Sequence, residues 1–350
     1  MTEERLQIYG VEDGVTAEAT RKLYKVLFDN FLDYCQIQDP SVLLKESPRQ
    51  IEDRVIGYVR FLDKVKGRIR GSINNILSSI FHFFEMNDVL LNKRKIKRFL
   101  PADRRATDRD RAYTHEEIAR ILLNCDERTR VIVLLCASTG MRIGAVSDLT
   151  LSNLTDIPDY NLYKITVYAN SPPDRYYTFC SPECKQAIDN YLDYRRRFGD
   201  PLKDKSPLIR EQFDIYDKFQ ASYPKPLRYA GIVWIMGELL KRSGMYNGSV
   251  MKTHGFRKFA VTQMIKAKVE YGAREYLVGH KHSRCLDANY DRTTEEDRLA
   301  QYLLSVDLLT INPENRLKRK IHLMEAEHSA EWKQLKEQMN ELKKVLEHKV

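Results

Sequence analysis

Apolar residues in the first ninety positions recur at three- and four-residue spacing, and that period commits the segment to helices. Leu23, Leu27, Phe31 and Tyr34 keep the spacing, as do Ile51, Val55, Tyr58, Val59 and Leu62. A third stretch, Ile73, Ile76, Leu77, Ile80, Phe83 and Phe84, is apolar along one side. Pro48, Gly57, Gly67 and Gly71 punctuate these runs, so residues 15–91 read as a bundle of about four helices.

The pattern changes once in the second half. Thr114 followed by Glu117 forms a capping box ahead of an apolar helix in Y-T-H-E-E-I-A-R-I-L-L, 113–123. Residues 130–138, R-V-I-V-L-L-C-A-S, read as a buried helix that ends at Gly140. Residues 162–168 and 176–179 then alternate around N-S-P-P-D, which predicts a β-hairpin. Helical spacing resumes over 183–197, 229–243, 255–268 and 295–309. The expected fold is mainly α with a small β-hairpin or sheet.

At 350 residues the chain is long enough for two domains. We read 1–91 as a helical domain, 92–112 as a basic linker, 113–311 as a second domain and 312–350 as a charged tail. In that tail Leu335, Met339, Leu342 and Leu346 step in heptad fashion. No run of about 18 apolar residues occurs, so no membrane span is expected. The start of the chain lacks the apolar core of a signal peptide, and a cytoplasmic protein is expected. The six cysteines (35, 125, 136, 180, 184, 285) form no paired framework, and neither a metal nor another cofactor is expected.

Net charge is +9, from 58 basic and 49 acidic side chains, a balance that suits a polyanionic partner. Its distribution is more informative. Residues 92–111 hold nine Lys or Arg against three Asp. Lys93, Arg94, Lys95, Lys97, Arg98, Arg104 and Arg105 are placed there to track a DNA backbone, and Arg175 in the hairpin turn is a further candidate.

Four short motifs carry the chemistry: A-S-T-G-M-R-I-G-A at 137–145, T-H-G-F-R-K at 253–258, L-V-G-H at 277–280 and D-A-N-Y-D-R at 287–292. Each is weak alone. Together they supply two arginines to clamp a phosphodiester bidentately, histidines to exchange protons, and a phenol that could attack phosphorus.

Their order and spacing resemble the tyrosine recombinases, or phage-type integrases, whose signature is T-G-x-R, H-x-x-R, L-G-H and a late tyrosine. Arg142, His254, Arg257, His280 and Tyr290 match those places one by one. The resemblance spans roughly 113–311. It implies a two-domain C-shaped clamp, with a helical core-binding (SAM-like) domain and a mixed α+β catalytic domain. Arg142 and Arg257 would clamp the scissile phosphate, His254 would act as acid/base, His280 would hydrogen-bond the phosphate, and Tyr290 would form a 3′-phosphotyrosyl link. The implied function is site-specific DNA recombination, integration or excision of a mobile element, by a tetramer on double-stranded DNA in the nucleoid. Residues 292–311 look most like integrases of archaea and their mobile elements, and this segment would dock onto a neighbouring protomer. The alternatives are a type IB topoisomerase or a non-catalytic DNA-binding relative.

Three departures from that pattern stand out. His280 to Tyr290 is one residue longer than usual. Ala145 replaces an acid three residues after the first arginine. Asn170 falls where the family carries its general-acid lysine, and Lys164 lies inside the preceding strand.

Overall fold

The computed structural model describes residues 8–102, 111–246, 250, 252–280 and 293–318, together with 320, 321 and 324. The heptad-like run at 335–346 lies outside them, as do Arg104, Arg105 and Tyr290. The chain divides into two compact units, Met1–Ala106 and Thr107–Val350. The fold is mostly helical with one small antiparallel sheet. Among the described residues no helix is long and apolar enough to cross a membrane.

In the first unit, α1 (Glu18–Cys35), α2 (Pro48–Lys64) and α3 (Arg70–Met86) pack around one apolar core. Ser47 and Gln50 close a capping box at the start of α2, with Pro48 at the first helical position, where its missing N–H costs nothing. The stripe of α1 that faces the core is Phe28, Phe31 and Leu32, whereas Leu23 is exposed. Read from sequence, Leu23 began that stripe; the helix buries the face one step round, where Phe28 packs against Phe83 of α3, their tilted rings 4.4 Å apart. Lys93–Lys97, within the stretch read as linker, form the short helix α4, and Ile96 and Leu100 are buried in the first unit's core.

The second unit is built on α6 (Glu127–Thr139), preceded by α5 (His115–Leu122). Nearly every side chain of α6 is buried, which marks it as the central helix. The capping box of Thr114 and Glu117 is present at the start of α5. After α7 (Ile143–Val146) come β1 (Leu154–Ile157), β2 (Leu162–Val167) and β3 (Tyr176–Phe179), a meander in the order β1-β2-β3. Ile165 pairs with Leu154 on one side and Thr178 on the other. The strand β1 adds to the expected hairpin; it is short, and its two central residues are exposed.

The helices α8 (Pro182–Arg197), α9 (Lys218–Ser222), α10 (Tyr229–Arg242), α11 (His254–Lys266), α12 (Tyr271–Leu277) and α13 (Glu295–Leu309) complete the unit. A buried ionic knot holds the long connection after α8. Asp200 Oδ2 accepts from Arg195 Nε at 2.9 Å and from Arg210 Nη1 at 2.8 Å, and all three residues are buried. The guanidinium groups also donate to Pro207 O, Leu208 O, Gln220 O and Ala221 O, so this loop is tied down along its length.

Helix α13 packs within its own unit. Tyr302 and Val306 are fully buried, Tyr302 Oη donates to Ser138 O at 3.1 Å, and the Glu183 carboxylate accepts from Ile311 N at 2.7 Å. The segment expected to dock onto a neighbour therefore has an apolar face filled at home. His115 Nε2 closes the same end with Leu308 O, 2.7 Å away. Burial holds that imidazole below its ordinary value, the Leu308 contact opposing and the charges of Arg316 and Lys266 adding to the depression. The unfolded chain then binds the proton more readily, so stability should fall as pH drops through the ordinary imidazole value of about 6.5. Urea midpoints at about pH 7.5 and about pH 5.5 should show this loss, and His115→Gln should reduce it.

Candidate active site

His254 opens α11 and Arg257 follows one turn later on the same face. His254 is exposed, whereas Arg257 is only 5% exposed. Arg257 Nη1 donates to two carbonyls, Gly140 O and Val278 O, each at 2.6 Å. Gly140, at φ 65°, terminates α6 and sends the chain to Arg142 at the cap of α7. Arg142 is exposed, and its Nη1 donates to Gly279 O at 2.7 Å. Two guanidinium groups from distant parts of the chain thus hang on the consecutive carbonyls of residues 278 and 279.

The third group follows directly. His280 leaves the end of α12 through Gly279, which sits at φ 66°. Its backbone N–H bonds to Glu275 O at 3.0 Å, and its Nδ1 lies 2.6 Å from Glu275 Oε2. Gly279 also lies flat against the ring of Tyr176: an added Cβ would come within 2.4 Å of two ring carbons. Both the left-handed backbone and the close approach require glycine. Gly279→Ala is expected to cost about 1–3 kcal/mol of strain and to unseat Arg142 and His280 together. Chemical unfolding, with DNA cleavage assayed alongside, would check this.

The electrostatics are those of an anion site. Burial, then repulsion from Arg142, pushes Arg257 below the ordinary guanidinium range, though arginine keeps its charge regardless. Among the described residues, Arg257 Nη2 is buried without a hydrogen-bond partner. Tyr168 and Tyr176 line the same place, their rings 6.3 Å apart. Burial raises both phenols, and the two arginines pull against that rise. Tyr168 starts the hairpin turn in a left-handed conformation, φ 53°, a strain that a bulky residue tolerates only when its surroundings impose it. A buried guanidinium with an idle donor beside a second, exposed one favours a bound anion such as phosphate.

Comparison with known proteins bears on what this clamp belongs to. The sequence profile described as the phage integrase family matches residues 111–297, more than half of the chain. The chain belongs to that family. Among relatives of this integrase-family chain, tyrosine recombinase XerC of Lactobacillus leichmannii is 23% identical over 175 residues, covering 48% of this chain and 54% of the relative. XerC of Lacticaseibacillus casei is 24% identical over 155 residues, 44% of this chain and 47% of the relative. The chain spans about half the length of the curated relatives it matches. Among solved structures, the Tn1549 transposon integrase with transposon right end DNA superposes with a TM-score of 0.55 at 15% identity, covering 83% of this chain and 94% of that one. A lambda integrase tetramer bound to a Holliday junction gives 0.54 at 16% identity, covering 82% and 76%. These likenesses share the fold.

Within the family pattern, the structure answers two of the three departures. Ala145 is buried in the core, and Asp148 is bonded by Ser147 Oγ at 3.1 Å; the partner that orients Arg142 is a main-chain carbonyl. Lys164 lies in β2, where Nζ meets both oxygens of Glu295 at 2.9 Å. The hairpin turn itself holds Asn170 and Arg175, both exposed, and no lysine. The third departure, the longer reach to Tyr290, falls on residues 281–292, outside the described residues.

Sequence reasoning missed Glu275, Tyr168 and Tyr176. An acid five residues before a histidine has no recognised spacing, and tyrosines abound here; only the turn at Gly279 brings Glu275 under the imidazole. Of the basic candidates in the first unit, Arg94, Lys97 and Arg98 are exposed. Lys95 is tied to Glu52 at 2.8 Å, and Lys93 pairs with Glu85.

Proposed function

We propose that the chain is a site-specific DNA recombinase that breaks and rejoins double-stranded DNA through a 3′-phosphotyrosyl intermediate. The observation that carries this reading is the pair of guanidinium groups on the adjacent carbonyls of residues 278 and 279, beside His280. In this reading Arg142 and Arg257 grip the non-bridging oxygens and neutralise the charge that builds in the transition state. Tyr290 attacks phosphorus, His254 takes up its proton, and the bond to the 5′ oxygen breaks, that oxygen leaving as a hydroxyl with a proton from water. The ester energy is kept in the phosphotyrosine, so resealing consumes no ATP. His280 hydrogen-bonds the same phosphate, while Arg94, Lys97, Arg98 and Arg175 hold the flanking backbone. The protein works as a homotetramer in the nucleoid, on the integration or excision of a mobile element.

The test is a covalent adduct on DNA carrying the attachment site. Wild type should form it and Tyr290→Phe should not, both binding DNA alike. Because the hairpin turn lacks a lysine, a 5′-bridging phosphorothiolate, whose sulfur leaves without a proton, should be cut at least about tenfold faster than the natural linkage. Binding with no adduct on either substrate would leave a non-catalytic DNA-binding protein. Relaxation of plasmids without sequence preference would instead indicate a topoisomerase.

A further inference from the structure

We infer that Glu275 is a positioning residue of this site, holding His280 in the tautomer and ring orientation that leave Nε2 for the scissile phosphate. The inference rests on the phosphodiester reading above.

Three observations lead to it. First, Glu275 Oε2 lies 2.6 Å from His280 Nδ1, within the range of a charge-assisted bond. A carboxylate only accepts, so Nδ1 carries the hydrogen, and Nε2 is the nitrogen left over. Second, the contact is built. The Glu275 side chain is only 18% exposed, against 41% for His280, and the same residue's carbonyl accepts the His280 backbone N–H. Glu275 therefore holds His280 at two points, its carbonyl the main chain and its carboxylate the ring. Third, the pair is joined to the clamp. Val278 and Gly279, between Glu275 and His280, supply the carbonyls that hold Arg257 and Arg142. Among the described residues, the charged groups beside the pair are Arg274, whose Nε lies 3.6 Å from Glu275 Oε1, and Arg257, on which the Glu275 charge acts.

A carboxylate behind an imidazole is a recurrent way to orient the ring and strengthen it as a donor or acceptor at its far nitrogen. Here it does so in a site where Asp148 is bonded by Ser147 rather than by either arginine. The negative charge that balances the clamp comes from the α12 side, attached to the histidine.

The inference is tested in the full chain with Glu275→Ala and the near-isosteric Glu275→Gln, read in two ways. On nicked suicide DNA at saturating protein, Glu275→Ala should slow covalent cleavage by about 10–100-fold while DNA affinity stays within about twofold of wild type. Glu275→Gln, whose amide oxygen still accepts from Nδ1, should recover most of the rate. In a His280→Gln background the alanine substitution should add no further loss, since its effect runs through the ring. In ¹⁵N-histidine-labelled protein, followed over a pH series, His280 should show one fixed tautomer in wild type and a mixture in Glu275→Ala. Unchanged His280 nitrogen signals, or losses that add fully to those of His280→Gln, would overturn it. If wild type forms no adduct, the proposed function fails, and the nitrogen signals alone then decide whether Glu275 fixes the ring.

Discussion

Arg257→Ala is expected to slow covalent DNA cleavage by about 10²–10³-fold, equivalent to about 3–4 kcal/mol of transition-state stabilisation. The guanidinium is buried, so its charge acts with little screening by water. It is also preorganised, with Nη1 shared between Gly140 O and Val278 O and Nη2, among the described residues, without a hydrogen-bond partner. Arg257→Lys should restore little, because one ammonium cannot span two carbonyls and a phosphate in a fixed plane. Removing the side chain also leaves two inward carbonyls unsatisfied, so about 1–3 kcal/mol of stability should be lost as well. Single-turnover adduct formation at saturating protein, beside urea unfolding of the same variant, separates the two losses. A variant that cleaved within threefold or so of wild type would remove Arg257 from the phosphate clamp.

Asp200→Asn should have the largest effect on folding, about 3–5 kcal/mol, although Asp200 is remote from the proposed chemistry in sequence and in role. Its carboxylate is the shared partner of two buried guanidinium groups. Neutralising it leaves two cations facing each other out of water, the costly way to break a buried ion pair. Replacing all three members by apolar residues of similar volume should cost far less, since no orphaned charge would remain. Denaturant midpoints for the single and triple variants test this; equal losses would show that the knot matters for packing rather than charge.

Much of the architecture was legible because helices announce themselves. The helix read over 229–243 runs from Tyr229 to Arg242, and the capping box at Thr114 is formed. The hairpin emerged from alternation between 162 and 179, but β1 did not: L-T-D-I is four residues with its polar centre exposed, too short for a period to register. At Leu23 the spacing was right and the face was wrong, since the partner Phe83 sits on another helix. The site divides in the same manner. Arg142, His254, Arg257 and His280 could be named as candidates because four short motifs match the integrase signature. Their anchors could not, because Gly140, Val278 and Gly279 act through carbonyls, which every residue carries. The ionic knot at Asp200 was equally silent, its arginines being indistinguishable in sequence from surface charges.

The carbonyls of Val278 and Gly279 have a kinetic consequence. Since both guanidiniums are fastened to one turn, a shift of a single ångström or so in that turn should dislodge them jointly. Competence for strand scission should therefore switch as a unit, with few molecules caught holding one arginine seated and the other astray. In the proposed reaction, whatever moves this turn would act as a throw-bar for cleavage.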